Sequence, residues 1–376
     1  MTEASETLRL GLIVNPVAGL GGRVGLKGSD GEEVQRRALS MGAVPMASNR
    51  AVQTLTSIGD LTGIELMVWA GQMGEAAAID CDLPHTVLGS SDTDRTNAED
   101  TRKSVESMVD AGVGLILFTG GDGTARDVHD VVGTDIPALG IPAGVKIHSA
   151  AFATNPVAAG QLASLFIRGK TRQTREMEVL DIDEEALRRG EIAVRLYGYL
   201  DVPFRTSMIQ NLKSTTAPGE DAAMHAIAAS ITGNMDEDTM YIIGPGTTTR
   251  SILDQLDLEK TLIGVDVVCG GSLTAADANE SDILELIRGR KSKIIVTPIG
   301  GQGCIFGRGN QQISPEVIRT VGRENIIIVA TPGKLHSLTA RPLWVDTGDV
   351  DVDRVLHGHY RVVTGVGDEA VCRVSG

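Results

Sequence analysis

Gly120-Gly121-Asp122-Gly123-Thr124 follows the apolar run Gly114-Leu115-Ile116-Leu117-Phe118 and precedes residues 125–132, which read as the start of a helix. A strand, a glycine-rich turn and a helix in that order bring unpaired N–H groups and a positive dipole end to the turn, which suits phosphate. The glycines permit a sharp turn and leave no Cβ between a ligand and the peptide groups. Asp122 is the one ionisable side chain in the turn. It is a carboxylate able to bind Mg²⁺ or to accept a proton from an alcohol; its plainer reading is a helix cap.

Working outward, Leu8–Val14 reads as a strand that ends in Asn15-Pro16, followed by a glycine-dense segment from Gly19 to Gly31. Helices are expected over 32–41 and 97–111, the second with Thr101, Val105, Met108 and Val109 on one face. Strands are expected over 64–70, 86–88 and 138–141. This alternation implies a parallel sheet covered on both faces, with ligands beyond the carboxyl ends of its strands. Asn15 and Gly120 both fall at such ends.

A second region is expected to begin near Arg175, with a half-buried strand and hairpin around Ile192, Val194 and Leu196 and a polar break over 217–221. From Thr239 strands and helices alternate again, and Ser314-Pro315-Glu316 has the cap, proline and acid of a helix start. The tail reads as a hairpin over 360–363 and 370–374. The expected fold is therefore α/β: an N-terminal parallel-sheet domain over 1–174, a second mixed α/β domain with β-rich parts over 175–345, and a hairpin tail over 346–376 placed to return to the first domain.

At 376 residues two domains are the prior, and 42% hydrophobic with 22% charged residues is ordinary for a soluble protein. The formal charge of −15 argues against a nucleic-acid surface and against an anionic membrane surface. Cys81, Cys269, Cys304 and Cys372 form no Cys-x-x-Cys or Cys/His cluster, so free thiols in a reducing compartment are expected. Residues 1–8 are acidic and lack an apolar signal core; a cytoplasmic protein is expected. No G-x-x-x-x-G-K-[ST], H-E-x-x-H or G-x-S-x-G motif occurs. His357 and His359 read as surface residues rather than metal ligands.

The Gly120–Thr124 turn resembles the signature of the superfamily that joins NAD kinases, diacylglycerol and sphingosine kinases, and phosphofructokinases. Asn15-Pro16-Val17-Ala18-Gly19 resembles the Asn-Pro-x-x-Gly opening of the same group. Further segments are similar to one branch, the ATP-NAD kinase family that includes the AcoX-type proteins. They are Pro142-Ala143-Gly144-Val145-Lys146-Ile147-His148-Ser149, Gly244-Pro245-Gly246-Thr247-Thr248, and Gly300-Gly301-Gln302-Gly303 with Gly307-Arg308-Gly309-Asn310. The resemblance runs from about Leu8 to Val374.

It implies transfer of a terminal phosphate from ATP or polyphosphate to a ribose hydroxyl of NAD, with Mg²⁺ as cofactor. Asp122 would be the catalytic acid–base residue and a metal ligand. Asn15, Pro16, Gly120, Gly121, Gly123, Thr124, Lys146 and Ser149 would hold the donor; Lys146 read alone is either a phosphate contact or a surface lysine. The substrate side would draw on Gly244, Gly246, Thr247 and Thr248, on Arg308 and Asn310, and on Asn279-Glu280. That pair is the nearest match to the family's adenosine-binding Asn-Glu or Asn-Asp, yet it follows the Gly244 turn instead of preceding it and also reads as a helix start. The alternatives are a kinase of another small metabolite alcohol, or a nucleotide-sensing protein without turnover. The expected partners are a small-molecule substrate and copies of the same chain, with neither nucleic acid nor membrane.

Overall fold

The computed structural model describes residues 8–26, 32–91, 96–144, 147–171, 173–182, 194–205, 208–209, 220–261, 263–299, 303–338 and 342–376. The chain forms two compact units: Met1–Leu20 with Val44–Gln210, and Gly21–Ala43 with Asn211–Gly376. The expected Lys146, and Ile192 and Gly300-Gly301-Gln302, lie outside the described residues.

The first unit is built on β1 (Leu8–Val14); α1 (Glu32–Ser40) belongs to the second unit. Then follow α2 (Ala47–Ile58), β2 (Ile64–Val68), α3 (Glu75–Asp80), β3 (His85–Val87), α4 (Ala98–Asp110), β4 (Leu115–Gly120), α5 (Asp122–Val132), β5 (Ala138–Pro142) and α6 (Pro156–Ile167). The five strands are all parallel, in the order β3-β2-β1-β4-β5. Every residue of β4 is buried, which is why it reads as a continuous apolar run: helices cover both faces of a parallel sheet. The core packs Leu10, Leu12, Leu55, Met108 and Phe118. Phe118 meets Phe152 edge to face at 5.2 Å. From β1 the chain moves outward to β2 and β3, then returns to the other side of β1 for β4 and β5. The sheet therefore switches direction between β1 and β4, the position at which open α/β sheets bind ligands.

Helices α2 and α6 have no counterpart in the sequence reading. The buried stripe of α2 is Ala47, Arg50, Ala51, Thr54, Leu55 and Ile58, with too few large apolar residues to raise a clear helical period. Small size is what the pair requires, because a Cβ on Gly160 of α6 would lie 2.4 Å from the Thr54 carbonyl oxygen. The antiparallel hairpin of β6 (Thr174–Ile182) and β7 (Val194–Pro203) closes the first unit. It packs on α5, where the Tyr197 hydroxyl donates to Asp130 at 2.8 Å and the Gly198 backbone lies against the His129 ring. The compact first unit runs on through this hairpin to Gln210.

The second unit contains α7 (Glu220–Thr232), β8 (Met240–Ile243), α8 (Thr247–Gln255), β9 (Asp266–Cys269), β10 (Ser272–Ala275), α9 (Glu280–Ile287), β11 (Ser292–Val296) and β12 (Cys304–Phe306). It continues with α10 (Pro315–Val321), β13 (Ile326–Val329), α11 (Pro332–Ser337), β14 (Leu343–Val345), α12 (Val350–Leu356), β15 (Gly358–Val363) and β16 (Glu369–Ser375). These strands form one mixed sheet of order β10-β9-β8-β11-β13-β15-β16-β14-β12. Strands β8, β11, β13 and β15 run parallel. The tail hairpin β15–β16 sits inside this sheet, so residues 346–376 belong to the second unit and do not return to the first. The outer edges of the hairpin pair with β13 and β14. The early glycine-rich segment joins the same unit: the Glu280 N–H donates to the Arg23 carbonyl at 3.2 Å.

A buried ion pair braces the loop ahead of β9. Lys260 Nζ lies 2.7 Å from Asp266, with both side chains essentially inaccessible. Asp266 also accepts from the Thr261 N–H and hydroxyl and from the Asp277 N–H. Burial pushes the Lys260 ammonium below its ordinary pKa, and Asp266 opposes the shift. Removing one member strands the other charge in the interior, so Lys260→Met is expected to cost about 3–5 kcal/mol of stability. Urea unfolding of the two proteins checks this; an unchanged midpoint would refute it.

Candidate functional site

Three segments of the first unit meet beyond the carboxyl ends of β1 and β4. The first is the Asn15–Gly19 turn. The Asn15 N–H donates to the Thr119 carbonyl at 2.9 Å, and its side-chain oxygen accepts the Val17 N–H at 3.2 Å. Its Nδ2 donates to the Thr124 hydroxyl at 3.0 Å, spanning the switch point. The second segment is the Gly120–Thr124 turn, and the third is the chain leaving β5. The Ala143 and Gly144 N–H groups both donate to the Gly120 carbonyl, at 2.9 and 3.0 Å. Gly19, at φ 75°, is where a Cβ would strike the Ala143 carbonyl oxygen. Asn15, Gly120, Gly121, Asp122, Gly123 and Thr124 are thus gathered at one end of the sheet.

The glycines act differently from expectation. None of Gly120, Gly121 and Gly123 has a positive φ, so the turn does not need them for conformational freedom. Gly120 is required by space, since a Cβ there would sit 2.2 Å from the Thr124 hydroxyl. Gly123 faces open space, with no atom within 4 Å of its Cβ position. Gly121 is the N-cap of α5 and supplies no side-chain cap, which leaves the first N–H groups of that helix to another acceptor.

Asp122 is the first residue of α5 and does not cap it. Its two carboxylate oxygens accept the N–H groups of His148 and Ser149, at 2.8 and 2.9 Å. These two bonds fix the orientation of the carboxylate. Ser149 enters the site through its N–H, because its hydroxyl pairs with β6, donating to the Leu180 carbonyl at 3.2 Å and accepting the Leu180 N–H at 2.9 Å. Among the described residues no group of three or more His, Cys, Asp or Glu side chains gathers as a metal site. Mg²⁺ needs no such cage, because one or two carboxylates with substrate phosphates suffice, and Asp122 fits that description.

The residues expected on the substrate side all lie in the second unit. Gly244, Gly246, Thr247 and Thr248 form the turn from β8 into α8, and the Thr249 hydroxyl donates to the Gly244 carbonyl at 2.7 Å. Ile313 packs against Gly244 and so brings the Gly307–Ile313 loop beside that turn. In that loop Asn310 is buried with its amide spent on backbone, accepting from Gly307 and donating to Ile305; Arg308 is half-buried. Asn279 is the N-cap of α9, in a capping box with Asp282. A separate cavity of about 490 Å³ at the carboxyl ends of α2 and α6, with Asp60, Arg168 and Lys170 in its wall, contains none of the expected residues. Thr297, Thr331 and Lys334 did not stand out in the sequence. Their signal is Thr-Pro at the ends of two successive parallel strands.

The ATP-NAD kinase N-terminal domain matches residues 10–171, and the ATP-NAD kinase C-terminal domain matches residues 236–374. The chain belongs to the ATP-NAD kinase family. Its parallel-sheet first unit and mixed-sheet second unit are that family's NAD kinase/diacylglycerol kinase-like fold. No curated protein matches the chain. Two solved structures align with it at 16% identity and a TM-score of 0.23: "Crystal structure of a putative diacylglycerol kinase from Bacillus anthracis str. Sterne" and "A putative diacylglycerol kinase from Bacillus anthracis str. Sterne". The alignments cover 49% and 47% of this chain and 45% and 46% of those. The chain thus spans about half the length of the structures it matches, and so distant a likeness adds nothing to the argument. Among the described residues no helix is long and apolar enough to cross a membrane.

Gly120→Ala is expected to push Thr124 away and break its bond to Asn15, at about 1–3 kcal/mol, the usual cost of overpacking. Chemical denaturation measures the loss, and wild-type stability in the variant would show that the turn tolerates a Cβ.

Proposed function

We propose that this protein transfers the terminal phosphate of ATP, or of inorganic polyphosphate, to a hydroxyl of NAD, forming NADP. The observation that carries the reading is the Asp122 carboxylate, held by the 148–149 backbone beside an uncapped helix start at the β1/β4 switch point, in a chain of the ATP-NAD kinase family. Phosphoryl transfer asks chiefly for positioning and charge neutralisation. The N–H groups opening α5 and the Asn15 turn supply the first by holding the donor phosphates. Asp122 would hold Mg²⁺, which would supply charge neutralisation. As the acceptor oxygen bonds to phosphorus and the nucleotide or shortened polyphosphate leaves, the hydroxyl proton passes to the Asp122 carboxylate. Lys146, from its place in the turn after β5, is proposed as a further donor contact. The protein is proposed to act in the cytoplasm as a homo-oligomer.

One observation favours a second reading with the same chemistry. Asn279, the nearest match to the family's adenosine-binding pair, has its side-chain oxygen committed to the Asp282 N–H at 3.1 Å. A chain without that pair suits another small metabolite alcohol as acceptor.

Incubation with Mg²⁺, ATP or polyphosphate, and NAD or NADH, with NADP(H) read out by an NADP-specific dehydrogenase, separates the two. NADP formation supports the first reading. Donor consumption that needs a different alcohol supports the second. Asp122→Asn is expected to lower turnover by about two orders of magnitude or more, through loss of base catalysis. Asn retains one acceptor oxygen for the 148–149 backbone, so the fold should persist and circular dichroism should match wild type. A near-wild-type rate in the folded variant would remove Asp122 from the chemistry.

A further inference from the structure

The β6–β7 hairpin holds α5 at both ends. At the far end of that helix the Tyr197 hydroxyl donates to Asp130 at 2.8 Å, and the Gly198 backbone lies against the His129 ring. At the near end stands Asp122, the first residue of α5, and the hairpin reaches it through Ser149. The register of the hairpin shifts between Val179 and Leu180, where Tyr197 is the extra residue of β7. A bulge of this kind re-aims the residues beside it. Here Tyr197 meets α5, while Leu180 on the other strand meets Ser149.

Ser149 is wholly buried, and one residue takes up its hydroxyl as both donor and acceptor. The hydroxyl accepts the Leu180 N–H at 2.9 Å and donates to the Leu180 carbonyl at 3.2 Å. The next residue extends the pairing, because the Ala150 N–H donates to the Glu178 carbonyl at 2.8 Å. Glu178 and Leu180 are two apart, so the three bonds fall along one edge of β6. The chain at 147–149 has no helix or strand of its own, and the hydroxyl stands in for the peptide group that a ladder would supply. What it fixes is the peptide joining His148 to Ser149, whose N–H donates to Asp122 at 2.9 Å.

Buried and spent on β6, this hydroxyl acts on the site through the backbone. The hold matters because a reacting group misplaced by about 1 Å can cost about 100-fold in rate. We propose that Ser149 is a positioning residue. By fastening the 148–149 backbone to β6, its hydroxyl keeps the Asp122 carboxylate in the orientation that phosphotransfer to the acceptor alcohol requires. The β6–β7 hairpin thereby belongs to the frame of the site, as the strand to which that backbone is tied. The catalytic part of this role rests on Asp122 acting as proposed above; the hold on the backbone does not depend on it.

Amide hydrogen exchange of the full chain, read by peptide mass spectrometry, tests the hold without an assay of activity. The His148 and Ser149 N–H groups are expected to exchange slowly in the wild type, although they lie outside helix and strand. Ser149→Ala should speed their exchange by about tenfold, equal to ~1.4 kcal/mol for the bonds removed, and Ser149→Thr, which keeps the hydroxyl, should restore protection. Fast exchange in the wild type, which needs no variant that could misfold, would overturn the proposal, as would exchange that Ser149→Ala leaves unchanged. In the phosphotransfer assay Ser149→Ala is expected to lower kcat by about 10- to 100-fold, with the donor KM within about twofold of wild type. Tyr197→Phe removes the hydroxyl that holds the far end of α5 and is expected to keep the wild-type kcat. An equal loss of kcat in both variants would reduce Ser149 to a structural residue. A wild type without any phosphotransfer, its 148–149 N–H groups still protected, would sink the reading of Asp122 and keep the hold of Ser149, so the two failures are told apart.

Discussion

The ligand end of the first unit depends on one carboxylate. Asp122 takes the N–H groups of His148 and Ser149, one on each oxygen, and so ties the start of α5 to the chain running from β5 toward β6. Bonds to an ionised acceptor are roughly twice as strong as neutral ones, and here two act on neighbouring residues. The clamp orients the carboxylate, since both of its oxygens are held. The same group that builds the site is therefore the group best placed to do its chemistry. Asp122 does not cap its own helix; it holds the loop that leaves β5.

Much of this was legible before any coordinates. Strands β1 and β4 are dense apolar runs, the turns at their ends carry glycine and asparagine, and the order of elements implies a parallel sheet. What was not legible has a physical cause in each case. Helix α2 buries alanines and threonines against Gly160 of α6, and close packing of small residues leaves a weak apolar period. The β6–β7 hairpin was visible in part, yet its attachment to the first unit rests on tertiary contacts with His129 and Asp130, which no local pattern carries. Asn310 looked like a ligand group in a loop of glycines, whereas both ends of its amide serve the backbone of its own turn. Asn279 likewise closes a capping box. In all of these a polar side chain or a small residue is spent on folding, and sequence alone does not say where its partner is.

The helix starts divide in a way that unites the two units. Helices α4, α6 and α9 begin with Asn97, Asn155 and Asn279, each of which accepts a backbone N–H from its first turn. Helices α5 and α8 begin with Gly121 and Gly246, which have no side chain to offer. A capping side chain contributes about 1 kcal/mol, so a glycine N-cap forgoes stability that an asparagine at the same position would provide. Helices α2 and α3 also start without a side-chain cap, at Met46 and Gly74, but the starts of α5 and α8 each follow a central parallel strand of their sheet. Space explains the glycine in part, since Gly121 lies near Gly144 and Gly246 presses on Thr297. Close approach of backbone, however, is also what brings N–H groups to where an anion can reach them. At Gly121 the neighbouring charge is the Asp122 carboxylate, which suits a phosphate that carries a metal ion.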